Sequence, residues 1–326
     1  LRNLVKHVLE NGGDIKPLIV DNTLTNGTGL FNPSVLVKDK RVYVNIRHCQ
    51  YTLYHSELNI HEHPFGPLLY LNPENDISLT TTNFIGELDP NTLNLKYINK
   101  IDTRKLDKPP LWEFVGLEDG RLVNINDKFY LIGVRRDTTT NGQGRMEYSE
   151  IDFNVNYAKE VSRVRIPAPG LDNTYCEKNW MPIIGEDNYF VKWLNPVEIV
   201  KVDLKKVTCE TVLLKDKTEF SWDQRGGGQV IPWKDGYLTL THETNLYKSE
   251  AGRKNAQYTH KFSYWSKDWD LISCSDSFSF MDAQIEFACG LAEYNSDFLI
   301  TFGYQDNASY VLRMKSDTLE GLLNVV

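Results

Sequence analysis

Five times along this chain an apolar run meets an Asp-bearing turn and then a run rich in β-branched and aromatic residues. Val35-Leu36-Val37 leads through Lys38-Asp39-Lys40 to Val42-Tyr43-Val44-Asn45-Ile46. Leu122-Val123-Asn124-Ile125 leads through Asn126-Asp127-Lys128 to Phe129-Tyr130-Leu131-Ile132. Pro182-Ile183-Ile184 and Tyr189-Phe190-Val191 flank Glu186-Asp187-Asn188. Gln229-Val230-Ile231-Pro232 and Tyr237-Leu238-Thr239-Leu240 flank Lys234-Asp235-Gly236. Gly290-Leu291-Ala292 and Phe298-Leu299-Ile300 flank Asn295-Ser296-Asp297. Each unit predicts a β-hairpin, because short apolar strands bounded by Asn, Asp and Gly turns carry that signal.

The turn aspartates recur on average about every 64 residues, a period suited to blades of a few strands each. A blade cannot bury both faces of its sheet alone, so neighbours stacked around an axis complete the core. The expectation is an all-β chain, a five-bladed β-propeller spanning 1–326 as a single domain, with a β-sandwich as the other arrangement of such hairpins. Helical periodicity is confined to the start. Leu1, Leu4, Val5, Val8 and Leu9 share one helical face before Gly12 and Gly13, which predicts a short helix within 1–13 packed outside the body. The polar stretch from Asp137 to Tyr148 reads as a long loop at the rim.

Composition narrows the function classes. A net charge of −8 and the lack of a Lys/Arg run argue against a nucleic-acid binder. No apolar stretch reaches the roughly 18–20 residues of a membrane helix. Cys49, Cys176, Cys209, Cys274 and Cys289 fit neither a zinc pattern nor a disulfide framework, which suggests reduced thiols and a cytoplasmic setting. His61-Glu62-His63 alternates as a metal pair might, but Pro64 follows and no third ligand is visible, so neither metal nor cofactor is expected. Aromatic residues at 12% suit both strand packing and stacking on sugar faces.

Polar groups gather where the hairpins begin and end: Asn32-Pro33-Ser34, Arg47, Gly116-Leu117-Glu118-Asp119-Gly120-Arg121, Glu177-Lys178-Asn179-Trp180, Arg225-Gly226-Gly227-Gly228, His242-Glu243, Glu286 and Asp306. In a propeller, one end of every inner strand faces the axis, so such groups would converge on a central funnel. Gly226-Gly227-Gly228 lacks the lysine and helix of a phosphate loop and reads as close backbone packing near the axis.

These residues, in order, resemble glycoside hydrolase family 130, the mannoside phosphorylases and related mannosidases, which are five-bladed propellers. Gly116-Leu117-Glu118-Asp119-Gly120-Arg121 is similar to that family's Gly-x-Glu-Asp-Pro-Arg motif, with Gly120 in place of the proline. Asn32-Pro33-Ser34, Glu177-Lys178-Asn179 before Met181-Pro182, Gly226-Gly227-Gly228 before His242, and Phe302-Gly303-Tyr304-Gln305-Asp306 resemble its other motifs. The likeness runs from about residue 30 to 314. Arg135, Arg136 and Arg145 are spaced unlike the family's anion-binding arginines.

The resemblance implies an enzyme that transfers a glycosyl group, mannosyl in kind, with inversion. Asp119 would be the general acid, acting directly or through a substrate hydroxyl. Arg136 (or Arg135), Lys178 and His242 would hold phosphate, and Asn32, Arg47, Glu118, Asn179, Glu286 and Asp306 would contact the sugar. The implied partners are an oligosaccharide or glycoconjugate and either inorganic phosphate or a nucleotide sugar. Two alternatives stay open. A mannoside hydrolase would need a second carboxylate to activate water, with Glu243 and Glu286 as candidates. A non-catalytic glycan-binding propeller would need no acid.

Overall fold

The computed structural model describes residues 2–26, 29–52, 60–61, 68–70, 79–170, 173–217, 220, 223–248, 250, 252 and 254–325. Five antiparallel sheets follow one another around an axis. Blade 1 runs from Leu30–Lys38 at the axis through Arg41–His48 and Thr82–Leu88 to Leu95–Lys100 at the rim. Blade 2 comprises Leu117–Ile125, Lys128–Arg135, Arg145–Phe153 and Ala158–Arg165. Blade 3 comprises Met181–Pro182, Tyr189–Leu194, Val197–Asp203 and Thr208–Leu214. In blade 4 the interrupted inner strand, Arg225–Gly226 and Ile231–Trp233, pairs with Gly236–Lys248. Lys254–Trp265 and Leu271–Ser275 follow, and Leu323–Val325 adds an outermost strand. Blade 5 comprises Glu286–Tyr294, Asp297–Tyr304 and Ala308–Met314, and Asp14–Pro17 closes it from the other end of the chain.

Each predicted hairpin joins the two innermost strands of a blade. In blades 1, 2 and 5 both turn residues lie at positive φ: Asp39 and Lys40, Asn126 and Asp127, Asn295 and Ser296. That is the primed-turn geometry whose twist matches the flanking strands, and Asn and Asp tolerate it best.

Alternation along the inner strands divides the core among the gaps between blades, since successive side chains leave a strand on opposite faces. Leu36 and Leu122 meet between blades 1 and 2, with Tyr43, Ile85 and Leu131. Val123 and Ile132 face the other way, onto Trp180, Phe190 and Val200 of blade 3. Val35 packs with Val44, Leu299 and Val311 between blades 1 and 5.

The helix forms at Leu4–Glu10, where the Asn3 side chain accepts the Lys6 N–H as an N-cap. Leu4, Val5 and Val8 enter the core between blades 4 and 5, so the helix completes that core from outside the ring. Leu9, expected on the same face, is 47% exposed because the buried stripe is only three residues wide. The loop expected over 137–148 ends sooner. Residues from Arg145 onward form a strand in which Met146 and Tyr148 are buried against blade 3.

The inner strands are tied across the axis by buried polar side chains. Gln229 of blade 4 is fully buried and donates to the carbonyls of Val35 at 2.7 Å and Leu122 at 2.9 Å, while accepting from the Leu291 N–H at 3.1 Å. One amide thereby joins blades 1, 2, 4 and 5. Ser34 accepts from the Leu122 N–H, and Thr301 donates to the Pro33 carbonyl. The three glycines make room for this closure, as expected from the sequence. A Cβ on Gly226 would lie 1.8 Å from the Asn179 carbonyl oxygen, and one on Gly227 would lie 2.3 Å from that of Leu240.

Candidate active site

Three polar residues reach the funnel from a backbone conformation that most residues avoid. Asn32, Asp119 and Asn179 have φ of +47°, +50° and +61°. Asn32 and Asp119 sit in β-bulges, marked by register shifts between Phe31 and Ser34 and between Glu118 and Arg121. A bulge turns a side chain out of the regular alternation and re-aims it. A left-handed non-glycine residue costs on the order of 1 kcal/mol or more, and such positions cluster at functional sites. Asp39, Asn126 and others share that φ in turns. The distinction at Asn32 and Asp119 is position, at the axial end of an inner strand.

Asp119 is held firmly. Its Oδ1 accepts from Asn32 Nδ2 and from Arg47 Nη1, each at 2.8 Å. Among the described residues neither bond falls on Oδ2. Arg47 also lies 3.5 Å from Glu118 and over the Phe31 ring. Arg121, fully buried, donates Nη1 to the Asp119 carbonyl at 2.7 Å and crosses the axis to the carbonyls of Gly226 and Gly227. Its Nη2 also lies 3.5 Å from Asn179 Oδ1. Burial alone would push the Asp119 carboxyl up. The charges of Arg47 and Arg121, with the hydrogen bonds from Asn32 and Arg47, outweigh burial and hold it below the usual carboxylate value.

Blade 4 contributes the opposite wall. His242 pairs with Arg225 in register, just as Arg47 of blade 1 pairs with Phe31, so both lie on second strands at the same end of the ring. The His242 ring stacks on Tyr258 and meets Phe287 edge-on. Burial, reinforced by His260 and by the charges of Arg225, Arg121 and Lys178, holds its pKa well below 6.5. His242 is therefore a neutral imidazole at neutral pH, so it would meet phosphate as a hydrogen-bond donor without a charge. The same set of charges places Lys178, which is exposed, and Arg225 near the imidazole.

The remaining candidates divide. Glu118 and Asn179 belong to the cluster through Arg47 and Arg121. Asp306 lies in the turn after the second strand of blade 5, at the strand end where Tyr304 pairs with Glu286. Arg136 is engaged elsewhere: Nε donates to the Gly142 carbonyl, and Nη2 to the Tyr175 hydroxyl. Arg135 is paired with Glu147 at 2.6 Å and Asp137 at 3.3 Å.

Glu286 needs the largest correction. It is fully buried, and its two oxygens accept the N–H groups of Phe280, Met281 and Ala283. Burial raises its pKa even though these bonds oppose the shift. Glu286 anchors a loop, with both of its carboxylate oxygens spent on backbone N–H groups. Among the described residues no three His, Cys, Asp or Glu side chains form a metal cluster. The His61-Glu62-His63 reading lies outside the described residues, apart from the backbone of His61. None of the described helices is long and apolar enough to cross a membrane.

Sequence reasoning gave Gln229 no role and named Arg121 only within a motif. A Gln beside Val230-Ile231 in an apolar strand was the only available signal for the first. Tyr258, which covers His242, carried none.

Ring and cluster together define a five-bladed β-propeller with an acid–arginine centre on its axis. No family model matches the sequence, and no curated protein does. Solved structures do. The β-1,2-mannobiose phosphorylase of Listeria innocua, solved with β-1,2-mannobiose, superposes with a TM-score of 0.54 at 15% identity, covering 94% of this chain and 96% of that one. A glycosyl hydrolase from Bacteroides ovatus gives a TM-score of 0.54 at 11% identity, over 89% of this chain and 85% of that one. A third structure comes from work on mannoside phosphorylases of glycoside hydrolase family 130, described as containing hydrolases that target β-1,2 mannosidic linkages in Candida mannan. It matches with a TM-score of 0.54 at 13% identity, over 87% of this chain and 84% of that one. At these identities the likeness establishes the propeller fold.

Proposed function

We propose that the protein is a carbohydrate-active enzyme that transfers a glycosyl group with inversion, with Asp119 as the proton-handling group. The observation that carries this reading is the fixing of Asp119. A left-handed bulge residue on the axis has one carboxylate oxygen tied to Asn32 and Arg47 and the other unclaimed among the described residues.

The resting protonation state fits one of the two roles that Asp119 can take. With its pKa held down, Asp119 rests as a carboxylate and suits a base that draws a proton from an acceptor hydroxyl. The donor is then a sugar carrying a phosphate leaving group, a sugar 1-phosphate or a nucleotide sugar. Lys178 and Arg225 stabilise the departing charge, and neutral His242 donates a hydrogen bond. In reverse, microscopic reversibility makes Asp119 the acid and phosphate the attacking group, which needs no second carboxylate. Glu118, Asn179 and Asp306 contact the sugar. A mannosyl donor is favoured by the motif resemblance and by the mannoside enzymes among the structural neighbours. The engagement of both Glu286 oxygens by backbone N–H groups weighs against hydrolysis, since Glu286 was one of two candidates for activating water.

The test is a turnover screen of sugar 1-phosphates and nucleotide sugars against mixed acceptors, scored by released phosphate or nucleotide. Release that requires Asp119 supports the reading. Turnover of mannosides with water alone, independent of phosphate, would replace it with hydrolysis.

A further inference from the structure

Away from the axis, between blades 1 and 2, lies a cavity of about 1110 Å3. Its walls are the start of Thr82–Leu88, the face of blade 2 that looks toward blade 1, and the connection running from the rim of blade 1 to Gly116. A void of this size holds a small organic molecule with room for water. It does not include Asp119, Arg47 or His242.

The lining has two characters. Ile101, Leu106, Pro110, Val115, Leu131 and Ile151 form an apolar side. Beside them, on the same face of blade 2, are charges largely spent on one another. Arg135 takes Glu147 and Asp137, and Arg163 takes Glu160 at 2.7 Å and Asp107 at 2.6 Å. Glu160 also accepts from Ser149.

Arg165 is the exception among the half-buried cations, while Lys100 and Lys108 line the cavity from exposed positions. Its guanidinium donates once to the Arg135 carbonyl at 3.1 Å and once to the Gln143 carbonyl at 2.8 Å. Among the described residues no carboxylate bonds it, and its other N–H groups make no further contact. Burial lowers its pKa, which is the direction expected where a positive charge lacks a direct counter-ion. Half-buried charge of this kind is costly unless something pairs with it. Glu147 and Asp137 offset it in part from a distance, but their closest ion pairs are with Arg135.

We propose that this inter-blade cavity binds a small organic anion, with its carboxylate or phosphate on Arg165 and its apolar body against the Leu106 side. A planar guanidinium with free N–H groups matches either oxyanion in a two-point contact. The site is separate from the chemistry at Asp119 and stands whether or not the protein transfers sugars.

The experiment is calorimetric titration of the full chain with hexanoate, hexyl phosphate and 1-hexanol. The three share an apolar body and differ in the anion. At least one anion is expected to saturate a single site and to bind about tenfold or more tighter than hexanol, the range of a charge-assisted hydrogen bond. Which anion prevails identifies the natural head group. Arg165→Gln should bring the anion down to the level of hexanol with the melting temperature unchanged. Leu106→Trp, which fills the apolar side while keeping Arg165, should weaken all three, and it carries the test if Arg165→Gln proves unstable. Equal binding of anion and alcohol, no binding of either anion, or an anion preference that survives Arg165→Gln would each overturn the proposal.

Discussion

Arg121 leaves blade 2 and delivers its Nε to the Gly227 carbonyl of blade 4 at 3.0 Å, across the axis of the ring. The same guanidinium bonds the Asp119 carbonyl, so one side chain closes the funnel floor and fixes the backbone of the central carboxylate. A lysine keeps the charge but cannot span these carbonyls with a planar fork. Arg121→Lys should cost about 2–4 kcal/mol in denaturant unfolding. Its loss of turnover per folded molecule should exceed what partial unfolding explains, because Asp119 loses its backbone anchor.

Asp119→Asn keeps the shape and the Asn32 and Arg47 neighbourhood but removes the proton acceptor. Turnover should fall by about 10²–10⁴, with an unchanged circular dichroism spectrum and melting curve. Near-normal turnover would remove Asp119 from the mechanism.

The charge balance around Asp119 predicts its pH behaviour. The folded carboxyl titrates below 3.8, so base-dependent activity should hold as pH falls and decline only beneath that value. Arg47 is the largest charge lowering it, and burial acts in the opposite sense. Arg47→Gln should therefore move the acid limb of kcat/KM upward, into or above the normal carboxylate range. An acid limb that stays put would mean that Arg47 does not control the group.

Gln229 offers a test of the ring alone. Gln229→Leu leaves the Val35 and Leu122 carbonyls and the Leu291 N–H buried without this partner. Each orphaned group costs about 1–3 kcal/mol, so stability should drop by about 3 kcal/mol or more by urea titration. A loss under about 1 kcal/mol would show that water or backbone shifts replace the amide.

His260 ties stability to pH. In the folded chain its pKa falls to about 3 through burial, against 6.5 for the exposed group. Below 6.5 the unfolded chain binds the proton and the folded chain does not, so stability is complete above 6.5 and lost as pH falls. Between pH 6.5 and 5 the loss from this residue is about 2 kcal/mol. His260→Gln should flatten that slope, measured as unfolding free energy against pH. An unchanged slope would assign it to other groups, His242 first.

Glu286→Ala checks the correction made above. Stability should fall, because three backbone N–H groups lose their acceptor. KM measured on the folded fraction should not move, as it would for a sugar ligand.

The fold was largely legible because a propeller repeats its signal. Five alternating hairpins with Asn and Asp turns report the same local geometry wherever they occur, and each inner strand shows its two-sided burial as an unbroken apolar run. The site was legible only in part. Asn32, Arg47, Glu118, Asp119 and Asn179 were readable because short motifs keep bulge residues and their neighbours together. Glu286 misled for a simple reason: alternation places a carboxylate on a face but does not say whether solvent or a loop backbone waits there. Arg136 misled because Tyr175 and Gly142 reach it from distant segments. Arg121 and Gln229 work across the ring on partners 58 to 194 residues away, and a single sequence contains no measure of that proximity.

The strand Asp14–Pro17 has a consequence for how the protein is made. It pairs with Ala308–Met314, with Asp14 opposite Arg313, on the order of 300 residues later. Blade 5 therefore lacks its outer edge until these two distant segments meet. Until then the inner blades carry an unlatched seam, with Leu4, Val5 and Val8 exposed beside it. Closure thus rests on a contact of very large sequence separation, and until it forms the open ring is exposed to mispairing and to chaperones that bind apolar surface.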